Sequence, residues 1–139
     1  MKKNLTLLFI LFFFLIWCQQ APNRAADYNL VSKCWYDARS YFKENWARNN
    51  DTLLLDYRNH FNQNLNKCFI LIEYNYYVQK EKNRWDKSIV LYDVSENLEY
   101  WSFWEQENSL NNFIDCNFLG SKCFSLTEFM KNAQKYMSN

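Results

Sequence analysis

Lys67-Cys68-Phe69-Ile70-Leu71-Ile72-Glu73-Tyr74-Asn75-Tyr76-Tyr77-Val78 is the stretch on which the fold turns. It is dense in β-branched and aromatic side chains, which suit a pleated, half-buried surface, and it reads as a strand. Downstream, a charged loop over about 80–87 separates it from a second strand, Ser88 to Val94. Asp93-Val94-Ser95-Glu96-Asn97 has turn chemistry, and Leu98 to Trp104 closes a hairpin with the strand before it. After a polar stretch from Glu105 to Asn112, Phe113 to Phe118 adds a short strand.

Upstream, Val31, Cys34, Trp35, Ala38, Tyr41, Phe42 and Trp46 recur at steps of three and four, the signature of one apolar helix face over about 29–48. Asn49-Asn50-Asp51 ends that helix. Leu53, Leu54, Leu55, Tyr57 and Phe61 fit either a short helix or a strand, and a short helix is the expectation here. Towards the C-terminus, Ser125 and Glu128 form a capping box that predicts a helix over 126–136, burying Leu126, Phe129, Met130 and Ala133. The sum is an α+β domain: an N-terminal helix, an antiparallel β-meander of three to four strands, a C-terminal helix and two disulfides.

The first residues have a different character. Lys2 and Lys3 precede an uncharged apolar run from Leu5 to Trp17, which gives way after Cys18 to Gln19-Gln20. A basic start followed by an apolar run shorter than the ~20 residues of a membrane-spanning helix is the layout of an export signal. Residues 1–17 are therefore expected to be a signal peptide, 18–26 a tether and 27–139 a single globular domain. Leu15-Ile16-Trp17-Cys18 resembles the lipobox of bacterial lipoproteins, in which the signal is cut before a cysteine that becomes lipid-modified. Leu15 and Ile16 match that pattern; Trp17 stands where it has a small residue. The resemblance implies a lipid on Cys18 and attachment to a membrane through it. Ordinary signal-peptidase cleavage would fall at Ala21 or Ala26, but Gln19 and Arg24 stand where small residues are wanted.

Five cysteines occur, at positions 18, 34, 68, 116 and 123. With Cys18 lipidated, Cys34, Cys68, Cys116 and Cys123 form an even set, which in an oxidising compartment reads as two disulfides. Three connectivities are possible. The favoured one joins Cys116 to Cys123, because the segment between them contains Gly120 and can turn back on itself. That leaves Cys34 to pair with Cys68, tying the first helix to the decisive strand.

Composition excludes several function classes. With Lys2 and Lys3 in the signal, the chain keeps 14 of its 16 basic residues against 15 acidic ones, without the basic excess that phosphate neutralisation demands. Nucleic acid is not an expected partner. A single glycine, Gly120, rules out Gly-rich phosphate-cradling loops, so no nucleotide cofactor is expected, nor any other cofactor. One residue in five is aromatic, six of them Trp.

Asn59-His60-Phe61-Asn62, Leu65-Asn66-Lys67-Cys68-Phe69, Leu91-Tyr92-Asp93-Val94 with Glu99-Tyr100, and Cys116 and Cys123 ahead of an aromatic terminal helix together resemble small exported bacterial domains of uncharacterised function. The resemblance spans about residues 34–137 and implies a secreted or lipid-anchored domain, with no catalytic role carried over.

Candidate chemistry is sparse. His60, the only histidine, sits between asparagines and reads as a turn-holding residue, with binding as its other possible use. Pairing it with Cys68 as a nucleophile needs a free thiolate, and zinc at His60, Cys116 and Cys123 lacks a closely spaced ligand pair; no metal is expected. Asp93, Glu96 and Glu99 at the hairpin read as solvated carboxylates. In Leu98 to Trp104, strand alternation puts Tyr100, Ser102 and Trp104 on one face and Trp101 and Phe103 on the other. One face belongs to the core, and the other is covered or offers Tyr100, Trp101 or Trp104 to a partner. The expected function is a non-enzymatic binding or structural role in a domain of the bacterial cell envelope, lipid-anchored at the periplasmic face or cell surface, or secreted. Its partner would be a protein or a cell-wall component. The alternative is a small secreted hydrolase using the hairpin carboxylates or His60.

Overall fold

Ile70 and Ile72 are fully buried on one face of the decisive strand, and Phe69 and Leu71 are buried on the other. A strand apolar on both faces must be covered on both, and that requirement organises the molecule. In the computed structural model, which describes residues 24–78, 84–106, 114–118 and 120–139, the covers are two helices. The elements in chain order are α1 (Arg24–Asn45), β1 (Thr52–Asn62), β2 (Lys67–Tyr77), β3 (Trp85–Asp93), β4 (Leu98–Gln106), β5 (Ile114–Phe118), β6 (Ser121–Lys122) and α2 (Leu126–Gln134). The six strands form one antiparallel sheet in sequence order. The architecture is α+β, with six strands rather than three or four.

Each face carries its own core. On one, α1 lies over β1 and β2, and Cys34 and Ala38 meet Leu55, Phe61, Cys68, Ile70 and Ile72. On the other, α2 drops Phe129 and Ala133 onto Phe69, Leu71, Leu91, Trp101 and Phe103. Each fully buried Phe or Leu side chain contributes about 1.5–3 kcal/mol by leaving water. The cystine Cys34–Cys68 fastens α1 to the start of β2, with Cα atoms 5.3 Å apart. Cys116–Cys123 closes the β5–β6 hairpin. Both pairings are the favoured ones.

The segment expected as a short helix, residues 53–61, is instead strand β1. Leu53-Leu54-Leu55 blurs its period, but from Leu55 onward the inward side chains recur every second residue, Leu55, Tyr57 and Phe61, while Asp56 and Arg58 face outward. An unbroken ladder to β2, from Leu54↔Asn75 to Asn62↔Lys67, overrides any local helical preference. Boundaries move too. α1 begins at Arg24, inside the stretch expected to be tether, and β3 begins at Trp85, inside the expected loop. The short strand β6 had no sequence expectation, and residues 1–23, including Cys18, lie outside the described residues.

Two hairpin turns share one construction. Asn62 Oδ1 accepts the Leu65 N–H at 3.0 Å, and Asp93 Oδ1 accepts the Ser95 N–H at 2.9 Å. Each turn ends on an asparagine in the left-handed region, Asn66 (φ 52°) and Asn97 (φ 50°), where asparagine is among the few residues tolerated besides glycine. Both capping side chains are buried. The β3–β4 hairpin also contains a bulge: Leu91 faces Trp101 and Tyr92 faces Glu99, so Tyr100 has no partner residue in the ladder.

Candidate functional site

The bulge rearranges the aromatics of β4. Strict alternation would oppose Tyr100 to Trp101, but the extra residue turns both towards α2, where Tyr100 packs edge-on against Phe69 (5.3 Å) and Tyr136 (5.4 Å). Trp101 stacks on Phe118 at 3.8 Å and is only 5% exposed. Trp104 lies half-buried on the opposite face, across from Ser88.

The hairpin carboxylates are engaged. Asp93, expected to be solvated, is fully buried, and the Lys67 ammonium lies 2.7 Å from its Oδ2. Lys67 also reaches Glu96 at 2.8 Å, donates to the Tyr100 hydroxyl at 3.0 Å and lies over that ring. The Asp93 pair, then Glu96 and Tyr100, hold Lys67 in its charged form well above the usual lysine range. Glu99 accepts from the Tyr92 hydroxyl at 3.2 Å; burial, then the Glu99 charge, pushes the Tyr92 phenol up. Burial raises Tyr41 as well.

His60 Nε2 lies 3.1 Å from Asn139 Oδ1, an amide rather than a carboxylate. Its neighbour Asn62 does more: Asn62 Nδ2 donates to the carbonyls of Lys135 (3.2 Å), Tyr136 (3.3 Å) and Ser138 (2.8 Å), binding the C-terminal tail across the end of β1. His60 thus meets Asn139, the hairpin acids meet Lys67 and Tyr92, and Trp104 faces Ser88 in the ladder. The structure brings Tyr100 to Lys67 and Trp101 to α2.

Two concavities open beside α2. One, of about 150 Å³, is floored by Leu71 and Ile89 and ringed by Asp56, Arg58, Glu73 and Lys87, with Glu73 and Lys87 paired at 2.9 Å. The other, of about 270 Å³, has walls of Trp101, Phe118 and Tyr136 and a rim of Lys122, Glu128, Asn132 and Lys135. Trp101 Nε1 is buried there with no hydrogen-bond partner, and buried N–H groups are seldom left so. An aromatic wall beneath a rim that carries Lys122, Lys135 and the Glu128 carboxylate suits a group that is apolar in body and polar at its edge. Both volumes fall below the roughly 300–1,000 Å³ typical of small-molecule sites, a size that suits side chains of a larger partner.

Of the cleft residues, the sequence marks Trp101 alone as a binding candidate, while Glu128 reads there as a helix cap. Lys122, Asn132 and Lys135 meet Trp101 only because β6 and α2 pack back across β4 and β5, and no local pattern announces that. Among the described residues no group of three His, Cys, Asp or Glu side chains is placed to hold a metal ion, and no helix is long and apolar enough to cross a membrane. Comparison with protein-family models, curated proteins and solved structures finds no match.

Proposed function

We propose that this chain is an exported domain of the bacterial cell envelope, anchored by a lipid on Cys18, that binds a protein or cell-wall component without chemical turnover. The observation that carries the reading is the pair of disulfides, which absorbs Cys34, Cys68, Cys116 and Cys123 and so supports an oxidising compartment outside the cytoplasm. Cys18, at the end of the apolar run, is then the cysteine left for a lipid. The resemblance to small exported bacterial domains points the same way. The binding face is the cleft walled by Trp101, Phe118 and Tyr136, where a partner's side chain meets the exposed Lys122 and Lys135.

Two substitutions test the two halves. Cys18→Ser abolishes incorporation of labelled lipid and moves the protein out of the membrane fraction; unchanged incorporation and sedimentation would remove the anchor. Lys122→Glu with Lys135→Glu inverts the charge of the exposed rim without touching the core. In intact envelopes it abolishes the cross-links made by the wild-type chain. Identical cross-links from both proteins would remove the cleft from the reading.

A further inference from the structure

α1 runs beside β2 in the same direction. Cys34 is joined to Cys68 at the start of the strand, and Trp46, just past the helix, lies against Tyr74 further along it. The ten helical residues ahead of Cys34 therefore project past the end of the sheet, by about 15 Å at 1.5 Å per residue. With no sheet beneath, Tyr28 is 73% exposed and Val31 48%, and Trp35, beside Cys34, is 42% exposed; Leu30 is exposed on the other side of the helix. The spacing of three and four residues places Tyr28, Val31 and Trp35 on one flank of the helix. The β1–β2 and β3–β4 turns lie at this same end of the sheet and expose Leu65 and Leu98. Single exposed apolar residues are ordinary, but a cluster at one end, on a helix that overhangs its sheet, marks a contact surface.

The chain ahead of α1 says what meets it. The apolar run Leu5 to Trp17 ends at Cys18, six residues before Arg24, and six extended residues span about 20 Å at most. A lipid on Cys18 therefore holds the overhang within that distance of the bilayer. Tyr and Trp favour that boundary because their rings are apolar in body and polar at one edge. The nearby charges suit it as well: Lys33 pairs with Asp37, and the Arg39 guanidinium lies 5.2 Å above the Trp35 ring, its own chain covering the aromatic face.

We propose that this end of the domain docks on the phospholipid surface, with Tyr28, Val31 and Trp35 of α1 seated at the headgroup boundary and the Leu65 and Leu98 turns beside them. This rests on the proposed Cys18 anchor as the means of bringing the overhang to the membrane. Docking would fix the orientation of the domain, so that the tether is not a free swivel.

The test uses the full chain produced in a bacterial host and reconstituted into phosphatidylethanolamine–phosphatidylglycerol vesicles containing a phospholipid brominated high on its acyl chains. Tryptophan fluorescence of the wild type is quenched, and Trp35→Phe removes most of the quenching with an unchanged far-UV spectrum. Tyr28→Ser, at a more exposed position, weakens the quenching of Trp35 and guards against a folding defect. Equal quenching of wild type and Trp35→Phe overturns docking. So does a concentration-dependent dimer, in detergent, that Tyr28→Ser dissolves, since the surface would then belong to a second copy. Intact mass reports the lipid separately: a lipidated chain without Trp35-dependent quenching keeps the anchor and loses the docking, and Trp35-dependent quenching of an unlipidated chain does the reverse.

Discussion

Asn62 and Asp93 are the two residues whose roles depart furthest from their type. Both are polar, both are buried, and each holds a hairpin turn by accepting a backbone N–H from within it. In the sequence Asp93 looks like a solvated acid at a hairpin tip; nothing in its neighbours reveals that Lys67, 26 residues earlier, reaches back to neutralise it. Asn62 is equally opaque, because its three acceptors sit more than 70 residues away. Asn62→Ala leaves those carbonyls and the Leu65 N–H without their partner, at a cost of about 1–3 kcal/mol. Hydrogen exchange should show the 135–139 tail losing protection before the rest of the sheet. A tail that stays protected would mean that Tyr136 packing alone holds it.

Among the elements, those whose period and caps agree were legible. The N-cap before α2 forms as read, with the Glu128 N–H donating to Ser125 Oγ at 3.2 Å, while the Glu128 carboxylate accepts the Phe124 N–H, one residue ahead of the cap, at 3.1 Å; the four residues expected beneath that helix line its packed side. β1 failed because three consecutive leucines suit both periods and only pairing with β2 decides between them. The β4 bulge failed for a related reason: alternation rules presume an uninterrupted ladder, and the extra residue at Tyr100 reverses which side it faces. Trp101 was recognisable as a notable residue, but its cleft was not, since its rim comes from the return of β6 and α2. The two cystines differ in the length of chain they close, 34 residues against 7. In the chain-entropy picture that makes Cys34–Cys68 worth roughly 3–4 kcal/mol and Cys116–Cys123 about 2 kcal/mol. Denaturant titrations of Cys34→Ala/Cys68→Ala and Cys116→Ala/Cys123→Ala should preserve that order; the reverse order would show that loop length is not what sets their contribution.

For the molecule as a whole, stability should be lost on the alkaline side. Lys67 and Tyr92 both titrate higher in the fold than in an unfolded chain, so the native state holds their protons more tightly. Their contribution is complete below the unfolded values of about 10 and declines as the pH rises past them. The urea midpoint should therefore fall between about pH 9 and pH 11, and fall less steeply in Tyr92→Phe. An equal slope in the two proteins would remove Tyr92 from the account. The cystine between α1 and β2 has a mechanical consequence. Tension applied through the N-terminal segment leaves the helix at Cys34 and passes covalently into Cys68 at the start of β2, a strand hydrogen-bonded on both sides. The part of the helix after Cys34 cannot be peeled away ahead of the sheet. A pull along α1 must instead load the two ladders that flank β2 at once.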